Sequence, residues 1–145
     1  VSSTLDRNSS GETAMHLAAS QRSLQGLSLL LANGANINAI DHRGRTPLHA
    51  VCASARGSYS GGQNDLTLLE CTNLLLSSGA LEDARDGEGQ TALHLAALAG
   101  NLSAAKALLE AGAKVIADDT GNSPLHVAAA RGHSGIIQLL VDENK

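Results

Sequence analysis

One short phrase recurs four times in this chain: TAMHLAAS from Thr13, TPLHAVCA from Thr46, TALHLAAL from Thr91 and SPLHVAAA from Ser123. The histidines that fix its register, His16, His49, His94 and His126, stand 33, 45 and 32 residues apart. A period of this size means that one supersecondary unit is copied and stacked, because a unit so small cannot bury its apolar face alone. Each phrase opens with a Thr or Ser suited to cap a helix, and Pro47 and Pro124 sit at the first helical position, where a missing N–H costs nothing. Small alanines follow, which let neighbouring helices approach closely. A second apolar run then brings Leu29–Leu30, Leu74–Leu75, Leu108–Leu109 and Leu139–Leu140, and in the first three copies a glycine, Gly34, Gly79 or Gly112, stands where that helix should end. No helix of this length is stable in water by itself, so stacking must supply the stability.

The phrase and its period resemble the ankyrin-repeat family, whose signature is T-P-L-H-x-A, over roughly residues 8 to 145. The resemblance implies an all-α solenoid of helix-turn-helix repeats joined by β-hairpin-like fingers. It divides a single domain, 1–145, into repeats at about 8–40, 41–85, 86–117 and 118–145, the last truncated. Arg22 stands where the family usually has glycine between its helices. The second repeat carries about 12 extra residues, with a Gly/Ser-rich loop at 54–64, after which T-L-L-E, Thr67 to Glu70, reads as a capping box that restarts the helix. The turn before the last repeat is one residue short. Ile136, Ile137, Leu139, Leu140 and Val141 make the last helix read as an internal one, so further repeats or another domain are expected to follow.

Composition narrows the function. With no Trp or Phe and one Tyr, Tyr59, the core must consist of thin layers that Leu, Ala, Ile and Val can fill. A net charge of -4 offers no field for nucleic acid or an anionic membrane. That charge is uneven: residues 1–64 carry five basic and three acidic side chains, and residues 65–145 five and eleven. Two cysteines, Cys52 and Cys71, make no disulfide framework and point to an intracellular setting, cytoplasmic or nuclear, and no apolar run is long enough to span a membrane. The four repeated histidines lie too far apart to share a metal ion, so no cofactor or metal site is expected. S-A-A-K, Ser103 to Lys106, lacks the companion motifs of serine acylases, and no phosphate-binding glycine loop is present, so no enzyme is expected.

The expected function is that of a protein-protein interaction module or adaptor, taking a partner protein or peptide in a concave groove. The alternative is an inhibitory or masking regulator of an enzyme or transcription factor. The resemblance places the groove on the finger tips and the open side of each first helix. This gives Ile40, His42, Arg43 and Arg45 on the second finger, Arg85, Glu88 and Gln90 on the third, and Asp119, Thr120 and Asn122 on the fourth. On the first helices it gives Ser20 and Gln21, Ala53 and Ser54, Leu98 and Ala99, and Ala130 and Arg131. Ile40 and Leu98 are the candidate anchors, being apolar where solvent is expected, with Arg43, Arg45 and Arg131 next. Tyr59 is a candidate loop contact. The resemblance also marks Asn38 as a candidate for asparagine hydroxylation, against a role in bracing its turn. As an isolated domain the chain is expected to be monomeric.

Overall fold

The computed structural model describes residues 7–54 and 65–143, and the Tyr59 loop lies outside them. These residues form eight helices and no strand: α1 (Ala14–Ser20), α2 (Leu24–Ala32), α3 (Pro47–Cys52), α4 (Asp65–Ser77), α5 (Ala92–Ala99), α6 (Leu102–Glu110), α7 (Pro124–Arg131) and α8 (Ser134–Glu143). First helices pack in the order α1, α3, α5, α7, and second helices in the order α2, α4, α6, α8, each pair also packing internally. The arrangement is the all-helical solenoid anticipated from the repeats. Its fingers are hydrogen-bonded turns without a strand ladder among the described residues.

The core is a single cluster of thin layers running through the stack. Met15, Leu48 and Leu93 occupy one layer position in successive first helices, and Leu27, Leu68, Leu75, Leu108 and Leu140 are buried on the second helices. Cys52 stands fully buried at the position held elsewhere by Ala19 and Ala97, and Cys71 is buried on α4. Burial raises both thiol pKa values, with Glu70 adding to the effect at Cys71 and Arg22 opposing it. Both therefore behave as small hydrophobes.

Each first helix starts at its Thr or Ser, as the phrase predicted. Thr46, Thr91 and Ser123 accept the backbone N–H of the histidine three residues on. The T-L-L-E reading is corrected: α4 already begins at Asp65, so Thr67 lies inside the helix rather than at its cap. Four residues cannot distinguish a start signal from the first turn of a helix already under way, since Thr and Glu suit both places.

Candidate functional site

One acidic or amide side chain organises each finger. Asn8, Asp41, Asp86 and Asp118 each stand three residues before a glycine, and each Oδ1 accepts the backbone N–H groups two and four residues on. Distances run from 2.8 to 3.0 Å. Asp118 also accepts the Thr120 hydroxyl, and these bonds hold its carboxyl below the usual carboxylate range. The signal was present in the sequence as N/D-x-x-G, and its spacing repeats as faithfully as that of the histidines.

Adjacent fingers are joined by one backbone bond per step: His42 N–H to the Ser10 carbonyl, Gly87 N–H to Arg43, and Asp119 N–H to Glu88. The repeated histidine adds a second tie. His16, His49 and His94 are buried, and each Nδ1 accepts the backbone N–H of its capping threonine at 3.1 to 3.2 Å. The ring proton must therefore sit on Nε2, which donates to the carbonyl of Arg45, Gln90 or Asn122 in the next repeat at 2.7 to 2.9 Å. A third tie runs through the turns after the second helices. The Asn38 amide donates to the Gly79 carbonyl and accepts the Leu81 N–H, and Asp83 accepts the Lys114 N–H. Both ends of the Asn38 side chain thus brace its turn against the next repeat.

Between the helices of successive repeats lies a polar brace that pattern reading did not find. Arg22 has a left-handed backbone, φ 54°, where α5 and α7 end on Gly100 and Gly132. Its guanidinium donates to the Ser54 hydroxyl at 2.7 Å, the Ser54 carbonyl at 3.0 Å and the Asn101 Oδ1 at 3.3 Å. The buried Asn101 amide in turn donates to the carbonyls of Cys52 and Ser54. Ser54 is therefore corrected from an open groove residue to a buried link joining three repeats. Arg22→Ala is expected to cost about 1–3 kcal/mol, because it removes these bonds to buried acceptors. Arg22→Gly should lose about 1 kcal/mol less, since glycine carries no penalty for the left-handed backbone. Urea unfolding of the two variants measures the difference, and equal stability would show that backbone strain is not what separates them.

A hollow of about 640 Å³ is lined by fingers one and two and by the first helices α1 and α3. It brings His42, Arg43 and Arg45 together with Ser20, Gln21, Ala53 and Ser54, and adds Ser9, Ser10, Glu12, Asp41 and Ala50. Arg45 is half-buried, its Nε on the Asp86 carboxylate at 3.2 Å, whereas His42 and Arg43 are exposed. Ile40 is 55% exposed and Leu98 38%, both outside the hollow. Arg85, Glu88, Asp119, Thr120, Asn122 and Arg131 are exposed and Gln90 is half-buried; the Asn122 amide is turned onto the Thr120 hydroxyl. Among the described residues no cluster of three or more His, Cys, Asp or Glu could hold a metal ion, and no helix is long and apolar enough to cross a membrane.

Comparison with known proteins agrees with this architecture. A family model described as ankyrin repeats (3 copies) matches residues 2–61 and again 62–145. Among curated proteins, human Rabankyrin-5 is 47% identical over 47 residues, 32% of this chain and 4% of that protein's length.

Proposed function

Because the chain belongs to the ankyrin-repeat family, whose repeats are generally protein-protein interaction modules, we propose that it is a non-catalytic adaptor inside the cell. Its partner protein or peptide docks along the concave side, and nucleic acid is disfavoured as a ligand. The observation that carries this reading is the hollow between fingers one and two and helices α1 and α3. It is concave, is lined by helices and hydrogen-bonded fingers, and offers the exposed Arg43 and His42 beside small residues such as Ala50 and Ala53. Arg is among the side chains that most often anchor an interface. Ile40, Leu98 and Arg131 extend the surface as apolar and charged contacts, with Arg85, Glu88, Gln90, Asp119, Thr120 and Asn122 along its polar rim. The basic second finger followed by acidic turns favours a partner with the opposite order of charge, which sets register and speeds encounter.

An affinity capture with three baits tests this. The native chain, Arg43→Glu with Ala53→Glu, and Ile40→Asp with Leu98→Asp are compared after circular dichroism shows all three folded. Partners should be lost by at least tenfold from the first variant and weakened in the second. Undiminished recovery by both folded variants would remove the concave side from the proposal.

A further inference from the structure

Four serines line the hollow between fingers one and two: Ser9, Ser10, Ser20 and Ser54. Two of them are engaged. The Ser20 hydroxyl donates to the Leu17 carbonyl, and the Ser54 hydroxyl donates to the Val51 carbonyl while accepting the Arg22 guanidinium. Ser9 and Ser10 are exposed, and neither hydroxyl has a partner among the described residues. Of these two, Ser10 is the one held against the second finger: its N–H is fixed on the Asn8 side chain and its carbonyl takes the His42 N–H.

Cations stand across that backbone bond. Arg43 holds in finger two the place that Ser10 holds in finger one, immediately before the glycine, and its guanidinium has no acceptor among the described residues. Arg45 donates its Nε to Asp86, and its terminal nitrogens have no acceptor among the described residues. The His42 ring lies against the Gly11 backbone. Two carboxylates face the same hollow, and each already holds local donors: Glu12 takes the Asn8 amide, and Asp41 takes the backbone N–H groups of Arg43 and Arg45. The side chain left without a counter-charge is therefore Arg43, whose planar fork of donors matches an oxyanion.

We propose that Ser10 is a phosphorylation site whose phosphate pairs with Arg43 and shuts the hollow to a docking partner. A serine kinase with a nucleoside triphosphate supplies the group. The Ser10 Oγ bonds to the γ-phosphorus, the bond from that phosphorus to the β–γ bridging oxygen breaks, the hydroxyl proton passes to a carboxylate of the kinase, and nucleoside diphosphate leaves. The product carries nearly two negative charges and three acceptor oxygens, enough to take the Arg43 guanidinium through two N–H groups and a further donor from His42 or Arg45. Arg43 is then withdrawn from docking, and the added charge repels an acidic segment of a partner. The switch rests on the docking reading above, whereas the pairing of phosphate with Arg43 does not.

A chain with phosphoserine encoded at position 10 tests the pairing without any partner. In a phosphorus NMR titration its second phosphate pKa should lie about 0.5 or more below the value of the same chain unfolded in urea. Arg43→Ala keeps the backbone bonds of its finger and should return that pKa at least halfway; a pKa equal to the unfolded one, or unmoved by Arg43→Ala, would overturn the pairing. The unmodified chain, incubated with cell extract and ATP labelled on its γ-phosphate, should take label at Ser10 and lose it in Ser10→Ala, and label found only at other residues would overturn the modification. As bait, the phosphorylated chain should lose by about tenfold the same partners that Arg43→Glu with Ala53→Glu loses. Full retention of those partners would overturn the switch. A native chain that captures no partner removes the docking reading and the switch together, while the titration and the labelling still decide the site.

Discussion

Leu93→Ala is expected to lower the unfolding free energy by about 2–5 kcal/mol, against the roughly 5–15 kcal/mol that holds a native domain together. Leu93 is fully buried on α5, which packs against α3 on one side and α7 on the other, as well as against its own partner α6. Truncation removes apolar contacts and leaves a cavity that helices locked on both sides cannot close. The layers make the effect severe. With no Phe or Trp in the chain, no large neighbouring ring can swing in to fill the space. Urea unfolding followed by circular dichroism gives the value, and a loss under about 1 kcal/mol would mean that the middle of the stack is not closely packed.

His49→Leu should cost about 1–3 kcal/mol at neutral pH and should also flatten the dependence of stability on pH. The imidazole is buried between Thr46 and Gln90, with Nδ1 taking the Thr46 N–H and Nε2 serving the Gln90 carbonyl. Leucine leaves the Thr46 N–H without its acceptor, while the Gln90 carbonyl keeps only the Asp86 N–H. Burial pushes the His49 pKa below its ordinary 6.5; the Gln90 bond and the Asp86 and Asp41 carboxylates pull it up, and Arg45 pushes it further down. The unfolded chain therefore binds this proton more readily than the folded one. The stabilisation is complete above 6.5 and is lost progressively as pH falls below that value toward the folded pKa. Protonation also places a second ring proton on Nδ1, against the Thr46 N–H that it normally accepts. Unfolding free energies of both proteins at about pH 7.5 and about pH 5 give the comparison. An equal loss on acidification in both would assign the acid sensitivity elsewhere.

Local features were legible in the sequence because they repeat at fixed spacing. The Thr46–Pro47 start of α3, the buried alanines and the glycines after the second helices all follow from what a capped, closely packed short helix requires. The finger Asx residues obey the same logic, but their residue type changes from Asn8 to Asp41, which makes the pattern fainter than that of the invariant histidines. Contacts over long range were not legible. Nothing local to Ser54 or Asn101 reveals that Arg22 reaches both, since their separations of 32 and 79 residues are set only by the stack. Arg45 likewise reads as a free cation until α5 brings Asp86 beside it. For the groove, sequence named finger residues such as Arg43 one by one, and the packing of α1 on α3 turned some of them into a single concavity while leaving Ile40 and Leu98 outside it.

The measurement that goes straight to the source of stability is circular dichroism of a peptide spanning residues 86–117, which holds α5, α6 and their finger, recorded beside the intact chain. If adjacent repeats hold these helices, through buried layers and the Nε2-to-carbonyl ties, the peptide alone shows almost no helix in water while the intact chain shows at least the helix content of the eight segments described. A peptide that keeps native helicity unaided, and melts cooperatively on its own, would contradict the account.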